Sequence, residues 1–198
     1  MKEGVQKISG LANIAKVLLI TWMSLAGVSI SLFAVALLTS NDLELYASIS
    51  SWGAMVYLLS VVLFIITGIV FFVWLGKATN NAASISKNDK KFSVAWNIFA
   101  YVIPFINFVA PYSSMKQIWE VTSNDHKEIK NINVWWAFFL GYAFITRAAD
   151  RVDDPMLDYI TIEASLLYLI GISSGLVSAF FLIRTMKMIS KGQEKHEK

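Results

Sequence analysis

The chain contains no cysteine. Disulfides, iron–sulfur clusters and thiolate metal sites are therefore excluded. Histidine is almost absent too. His126 and His196 are the only two, and both lie in polar segments, which leaves little to hold zinc or haem. No HExxH pair exists for a metalloprotease. Neither histidine is near an apolar run that could bring it to a serine, and the aspartates cluster in polar segments. No catalytic residue, cofactor or metal site is assigned, and an enzyme is not expected. Proline is scarce, with Pro104, Pro111 and Pro155 alone. Charge is missing over long stretches: residues 17–38, 54–75 and 166–183 carry none.

Apolar residues fill the gap. They make up 56% of 198 residues before glycine is added, and mean hydropathy is +0.56. Soluble domains hold about 45–50% with glycine included. A chain this short cannot hide the excess from water, because its surface-to-volume ratio is too high. Lipid is the natural solvent. A helical crossing of about 30 Å needs about 20 residues, and all three uncharged runs fit. The first is too long for a secretory signal's apolar core of about 7–15 residues and reads as an uncleaved anchor.

Two weaker runs remain. Residues 94–110 are uncharged but carry Asn97, Pro104 and Asn107, with Pro111 following. Residues 134–146 stretch to a span of about 133–148, with Trp135 and Trp136 as interfacial anchors. Lysine and arginine in short loops stay on the cytoplasmic side. If all five runs cross, the two sides hold nine and eight basic residues. If 134–146 is the one that returns, the split is 12 and five. If 94–110 enters and returns to its own side, the split is 15 and two. The last arrangement is the expected one. Pro104 breaks a straight helix, and broken backbone at membrane depth needs polar partners such as Asn97 and Asn107. The alternative is a kinked but complete span.

The expectation is thus a single all-α membrane domain over residues 1–198. It has four spans (17–38, 54–75, 133–148 and 164–183), one proline-broken re-entrant or interfacial segment (94–110), and both termini in the cytoplasm of a bacterium's inner membrane. Pro111 suits the first turn of a helix over 111–122. Tyr112, Met115, Ile118, Trp119 and Thr122 share one face of it, either on the membrane surface or against the bundle's own end. Asp154 and Pro155 are a helix start, with Asp158 near the positive end of its dipole. Local pairs Arg147–Asp150 and Arg151–Asp154 are possible there. Glu163 falls at the interface. Gly171, Gly175 and Ser178 form a small-residue face for helix packing, within the monomer or between copies; Ser24, Gly27 and Ser31 form another. The basic segment 184–198 suits anionic lipid headgroups rather than nucleic acid.

Several residues carry a resemblance. Phe71-x-x-Trp74-Leu75-x-Lys77-Ala78-x-x-Asn81 is followed by Trp96, then by Pro104-x-x-Asn107-x-x-x-Pro111-Tyr112, Lys116-x-x-Trp119 and Trp135-Trp136. This series resembles the bacterial membrane family known as domain of unknown function 4328. The chain departs from it at Val73 and Ala110, where the family commonly carries basic residues. The resemblance implies a multi-pass bacterial membrane protein and brings no activity. Two functions are in view. In the first, Lys77, Asn81, Trp96, Asn107, Lys116 and Trp119 form a surface for lipid headgroups or a membrane-protein partner, in a regulatory or scaffold module. In the second, the broken segment serves a small oligomeric transporter or channel subunit.

Overall fold

Asp42 opens the longest element. Its carboxylate accepts the backbone N–H of Leu45 at 3.1 Å, and Glu44 sits in the first turn, so the positive helix end is capped. From there α2 runs unbroken over Leu43–Ile85. Its 43 residues make a rod of about 64 Å, twice the thickness of the bilayer core. The apolar run 54–75 is only its middle.

The structure is a computed structural model that describes residues 4–38, 42–86, 93–101, 103–123, 128–152 and 162–196. Six α-helices appear there: α1 (Ser9–Leu38), α2, α3 (Val94–Phe99), α4 (Ala110–Thr122), α5 (Ile129–Val152) and α6 (Ile162–Glu194). A single 3-10 turn, Ile106–Phe108, joins the α3 side to α4. There is no strand among the described residues. Helices α1, α2 and α6 are long and apolar enough to cross a membrane. Helix α5 has 24 residues, but Lys130, Asn131, Asn133, Arg147, Asp150 and Arg151 dilute it. Asp154, Pro155 and Asp158, read above as a helix start, lie outside the described residues.

Helices α5 and α6, like α1 and α2, are longer than the expected spans. Helix α5 continues past Arg147 to Val152, and the Tyr168 hydroxyl of α6 donates to Asp150 at 2.7 Å there. Asp150 thus has a partner across the helix pair. The segment 184–198 is not a loose basic tail, because α6 continues through it to Glu194. Thr185, Met186, Ile189, Ser190 and Gln193 face inward at helical spacing and are buried, which holds those last turns in place.

Helices α5 and α6 lie antiparallel and close. Ser178 donates to the Trp135 carbonyl at 3.2 Å, and Ser174 donates to that of Phe138 at 2.8 Å. A Cβ on Gly171 would lie 2.8 Å from Cγ2 of Thr146. That methyl cannot swing away freely, since the Thr146 hydroxyl is bonded to the Tyr142 carbonyl at 2.8 Å. Gly175 sits where three helices meet, 3.1 Å from the Tyr142 ring and 3.2 Å from Trp22 of α1 by the same construction. The small face of α6 therefore packs inside the monomer. The one on α1 does not: a Cβ on Gly27 would meet nothing within 4 Å.

Buried side chains gather at one end of the bundle. Ile8, Trp74, Leu75, Met115, Ile118, Ile132, Met186 and Ile189 are all sealed, and they come from the segment before α1 and from α2, α4, α5 and α6. Along the middle of α2 the opposite holds. Met55, Leu58, Leu59, Phe64, Ile65 and Ile69 are exposed over several turns. A continuous apolar surface of that extent suits lipid contact.

Two substitutions separate the packed glycine from the free one. Gly171→Ala is expected to destabilise by about 1–2 kcal/mol, because overpacking outweighs the gain in helix propensity. Gly27→Ala is expected to be neutral or to stabilise by up to about 1 kcal/mol. Unfolding midpoints of the two variants in one detergent compare them directly.

Candidate functional site

The site grows from a break in the backbone. Ser93 caps α3 by accepting the Trp96 N–H at 3.2 Å, and the helix lasts only six residues. Pro104 then has no N–H to continue it. Its carbonyl accepts instead from Ile106 N–H at 2.8 Å, two residues on. That bond closes a γ-turn around Phe105, which is held at φ 65 and ψ -41. A bulky residue at positive φ is strained by about 1–3 kcal/mol. After one 3-10 turn the chain enters α4, with Pro111 in its first turn.

The break is a reversal and not a kink. Ser114 of α4 donates to Asn97 Oδ1 at 2.8 Å, although 17 residues separate them. In one kinked helix those positions would be about 25 Å apart. Asn97 also donates from Nδ2 to the Thr79 hydroxyl at 3.0 Å, which itself bonds the Leu75 carbonyl at 2.8 Å. One buried asparagine therefore ties both arms of the hairpin to α2. Trp136 of α5 holds the far arm, donating from Nε1 to the Phe108 carbonyl at 2.9 Å. The Tyr101 ring packs edge-on to Phe71, Phe72 and Trp136. The Tyr101 hydroxyl and Asn107 Oδ1 are both buried and meet no hydrogen-bond partner among the described residues.

A second junction lies beside it. Asn81 accepts the Gln6 N–H and donates to the Gln6 carbonyl, both at 2.8 Å. Its amide also donates to Gln193 Oε1 at 2.9 Å. Gln193 in turn donates to the Ala78 carbonyl at 2.9 Å and to the Thr122 hydroxyl at 3.4 Å. Four elements thus meet on two fully buried amides. Trp74 adds a nearby bond, donating from its indole to Ser190 at 3.1 Å.

The six residues read as one surface do not form one. Asn81 and Trp119 are inside, at 2% and 5% exposure, and are unavailable to a headgroup or partner. Asn81 is inward because it completes the amide junction. Trp119 is inward because α4 turns Pro111, Ser114, Met115, Ile118 and Trp119 toward the bundle. Asn107 is half-buried, its oxygen enclosed. Lys77 and Trp96 are exposed. Lys116 is part-exposed and lies 4.0 Å from Glu120, a surface pair contributing about 0.3–0.5 kcal/mol. The reading of the sequence missed Gln193, Thr79, Ser114, Trp74 and Gln6. Gln193 had a signal: it stands three, four and seven residues after Ser190, Ile189 and Met186. Gln6 had none, because its backbone does the work.

Asn97→Ala leaves Ser114 and Thr79 each short of a buried partner, and an expected loss of about 2–3 kcal/mol follows. Trp96→Ala, on the exposed side of the same short helix, is expected to stay within about 0.5 kcal/mol. Chemical unfolding in detergent micelles is the measurement; equal losses would refute the asparagine's role.

The model of the family described as Domain of unknown function (DUF4328) matches residues 37–191, and the chain belongs to that family. No curated protein and no solved structure matches the chain.

Proposed function

From membership of that family and the geometry of the hairpin, we propose that the protein is an integral inner-membrane scaffold or regulatory module. Its function is non-catalytic. Helices α1, α2, α5 and α6 are the four spans. The segment 94–110 is a re-entrant hairpin entering from the cytoplasmic side, where the chain's N-terminal residues and the end of α6 also lie. Helix α4 closes that face.

The observation that carries this reading is the depth of the hairpin along α5. Phe108 stacks on Phe144 with ring centres 5.5 Å apart. Phe144 is 15 residues into α5, about 22 Å from its start. The hairpin's outer side is apolar, with Trp96, Phe99, Phe105 and Val109 exposed. Such a surface belongs in lipid, and the exposed Phe105 is its tip. Fifteen of the 17 basic residues fall in segments 1–16, 76–93, 111–133 and 184–198, which this reading assigns to the cytoplasmic side. The outward side of α4 is polar, with Gln117 and Glu120 exposed beside Lys116. This is a face for a soluble or membrane-bound partner.

A small oligomeric transporter or channel subunit is the second reading. The strained turn and its enclosed Tyr101 and Asn107 oxygens favour it. Trp74, Leu75, Met115 and Ile118 fill the monomer at this end, so a pathway would run between copies.

The native chain has no cysteine, so each introduced one reports alone. Cysteines at positions 77 and 195 are expected to react with a membrane-impermeant thiol reagent only from the cytoplasm, and one at 152 only from outside. Phe105→Cys is expected to resist that reagent, and a fluorophore attached to it by a membrane-permeant maleimide is expected to be quenched by lipid-chain nitroxides. Labelling of position 105 from the external side would mean a full span and would end the re-entrant reading. Ion flux in reconstituted vesicles would favour the transporter.

A further inference from the structure

Helix α6 changes character along its outward face. Leu166, Ile170 and Phe180 are exposed on it, then Arg184, Lys187 and Lys191, also exposed. At about 100° per residue, positions 180, 184, 187 and 191 form one stripe. It lies opposite the buried stripe of Thr185, Met186, Ile189 and Gln193, so the bundle does not cover it. The Arg184 guanidinium lies over the Phe180 ring, 5.4 Å from its centre. An aromatic in the lipid and a cation one turn above it mark the boundary of the hydrocarbon.

Distances along the axis decide which cations meet a headgroup. The headgroup layer is about 5–7 Å thick on each side. Counting from Ile183, the last residue of the uncharged run, Arg184 is about 1.5 Å further on and Lys187 about 6 Å. Lys191 is about 12 Å further on, beyond the layer. Arg184 has a planar fork that matches two phosphate oxygens, held at a set height by the ring beneath it. Lys187 adds a second charge less than one turn away.

We propose that Arg184 and Lys187 form a binding site for the phosphate of one anionic phospholipid, whose acyl chains lie along Phe180 on the outer face of α6. The site rests on the membrane reading above. Lys191 contributes only to the general field over the surface. Helix-dipole and topology effects explain basic residues at this end of α6, but neither discriminates between lipids.

The full-length protein in phosphatidylcholine vesicles, with trace spin-labelled phosphatidylglycerol or phosphatidylcholine, tests it by electron paramagnetic resonance. The immobilised fraction is expected to favour phosphatidylglycerol on the order of fivefold. Arg184→Gln with Lys187→Gln removes the preference; Lys191→Gln keeps it. Arg184→Lys, which keeps the charge without the fork, shows an intermediate preference and serves if the double variant does not insert. No preference in the native chain, or equal loss in Lys191→Gln, overturns the site. Thiol labelling of cysteines at 77 and 195 in cells separates the failures. Labelling from one side without lipid preference sinks the lipid site alone. Labelling from opposite sides sinks the membrane topology beneath it.

Discussion

Everything at the buried end of the bundle depends on two side-chain amides satisfying each other. Asn81 and Gln193 are out of contact with water, and an unpaired buried amide costs several kcal/mol. Both find their partners only when the segment before α1, α2, α4 and α6 are in register. A shift of one residue in α6 would carry Gln193 about 100° around the helix and break its hydrogen bonds to Asn81, Ala78 and Thr122. The junction therefore sets register more than it adds stability. This matters for α1, α2 and α6, which are long and apolar enough to cross a membrane, because lipid supplies no hydrophobic force between helices and leaves their alignment to close packing and hydrogen bonds. The α5–α6 pair follows the same rule with smaller means, through Ser174, Ser178 and the bare backbone at Gly171.

The hairpin is a second solution to the same constraint. A chain that abandons helix among apolar neighbours must find other partners for its backbone. Here the γ-turn, the 3-10 turn and Trp136 provide them. The remaining strain is concentrated at Phe105, where the side chain is free of the bundle and clashes with nothing.

The long spans and the broken segment were legible in the sequence because lipid imposes a length and proline removes a donor. Both are local properties. The helix over 111–122 followed likewise from Pro111 and the spacing of Met115, Ile118 and Trp119, but that spacing suits the membrane surface as well as the bundle, and only the fold turns the face inward. The inward placement of Asn81 was not legible. Asparagine at a membrane edge reads as a surface residue, and only a partner 112 positions away reverses that. The same holds for the end of α6, where three basic residues masked a continuous buried stripe. Charge is a property of one side of a helix, and the count of charges says nothing of the other side.

The separation of Asn81 from Gln193 also has a consequence in time. Ribosomes add about 5–20 residues each second, so Asn81 exists for roughly 6–22 seconds before its partner is made. During that interval α1, α2 and the hairpin hold an open polar seam between them. The final turns of the last helix close it. Assembly of this end therefore waits for the last turns of α6, and a nascent chain stalled before residue 193 exposes a face that the folded bundle buries.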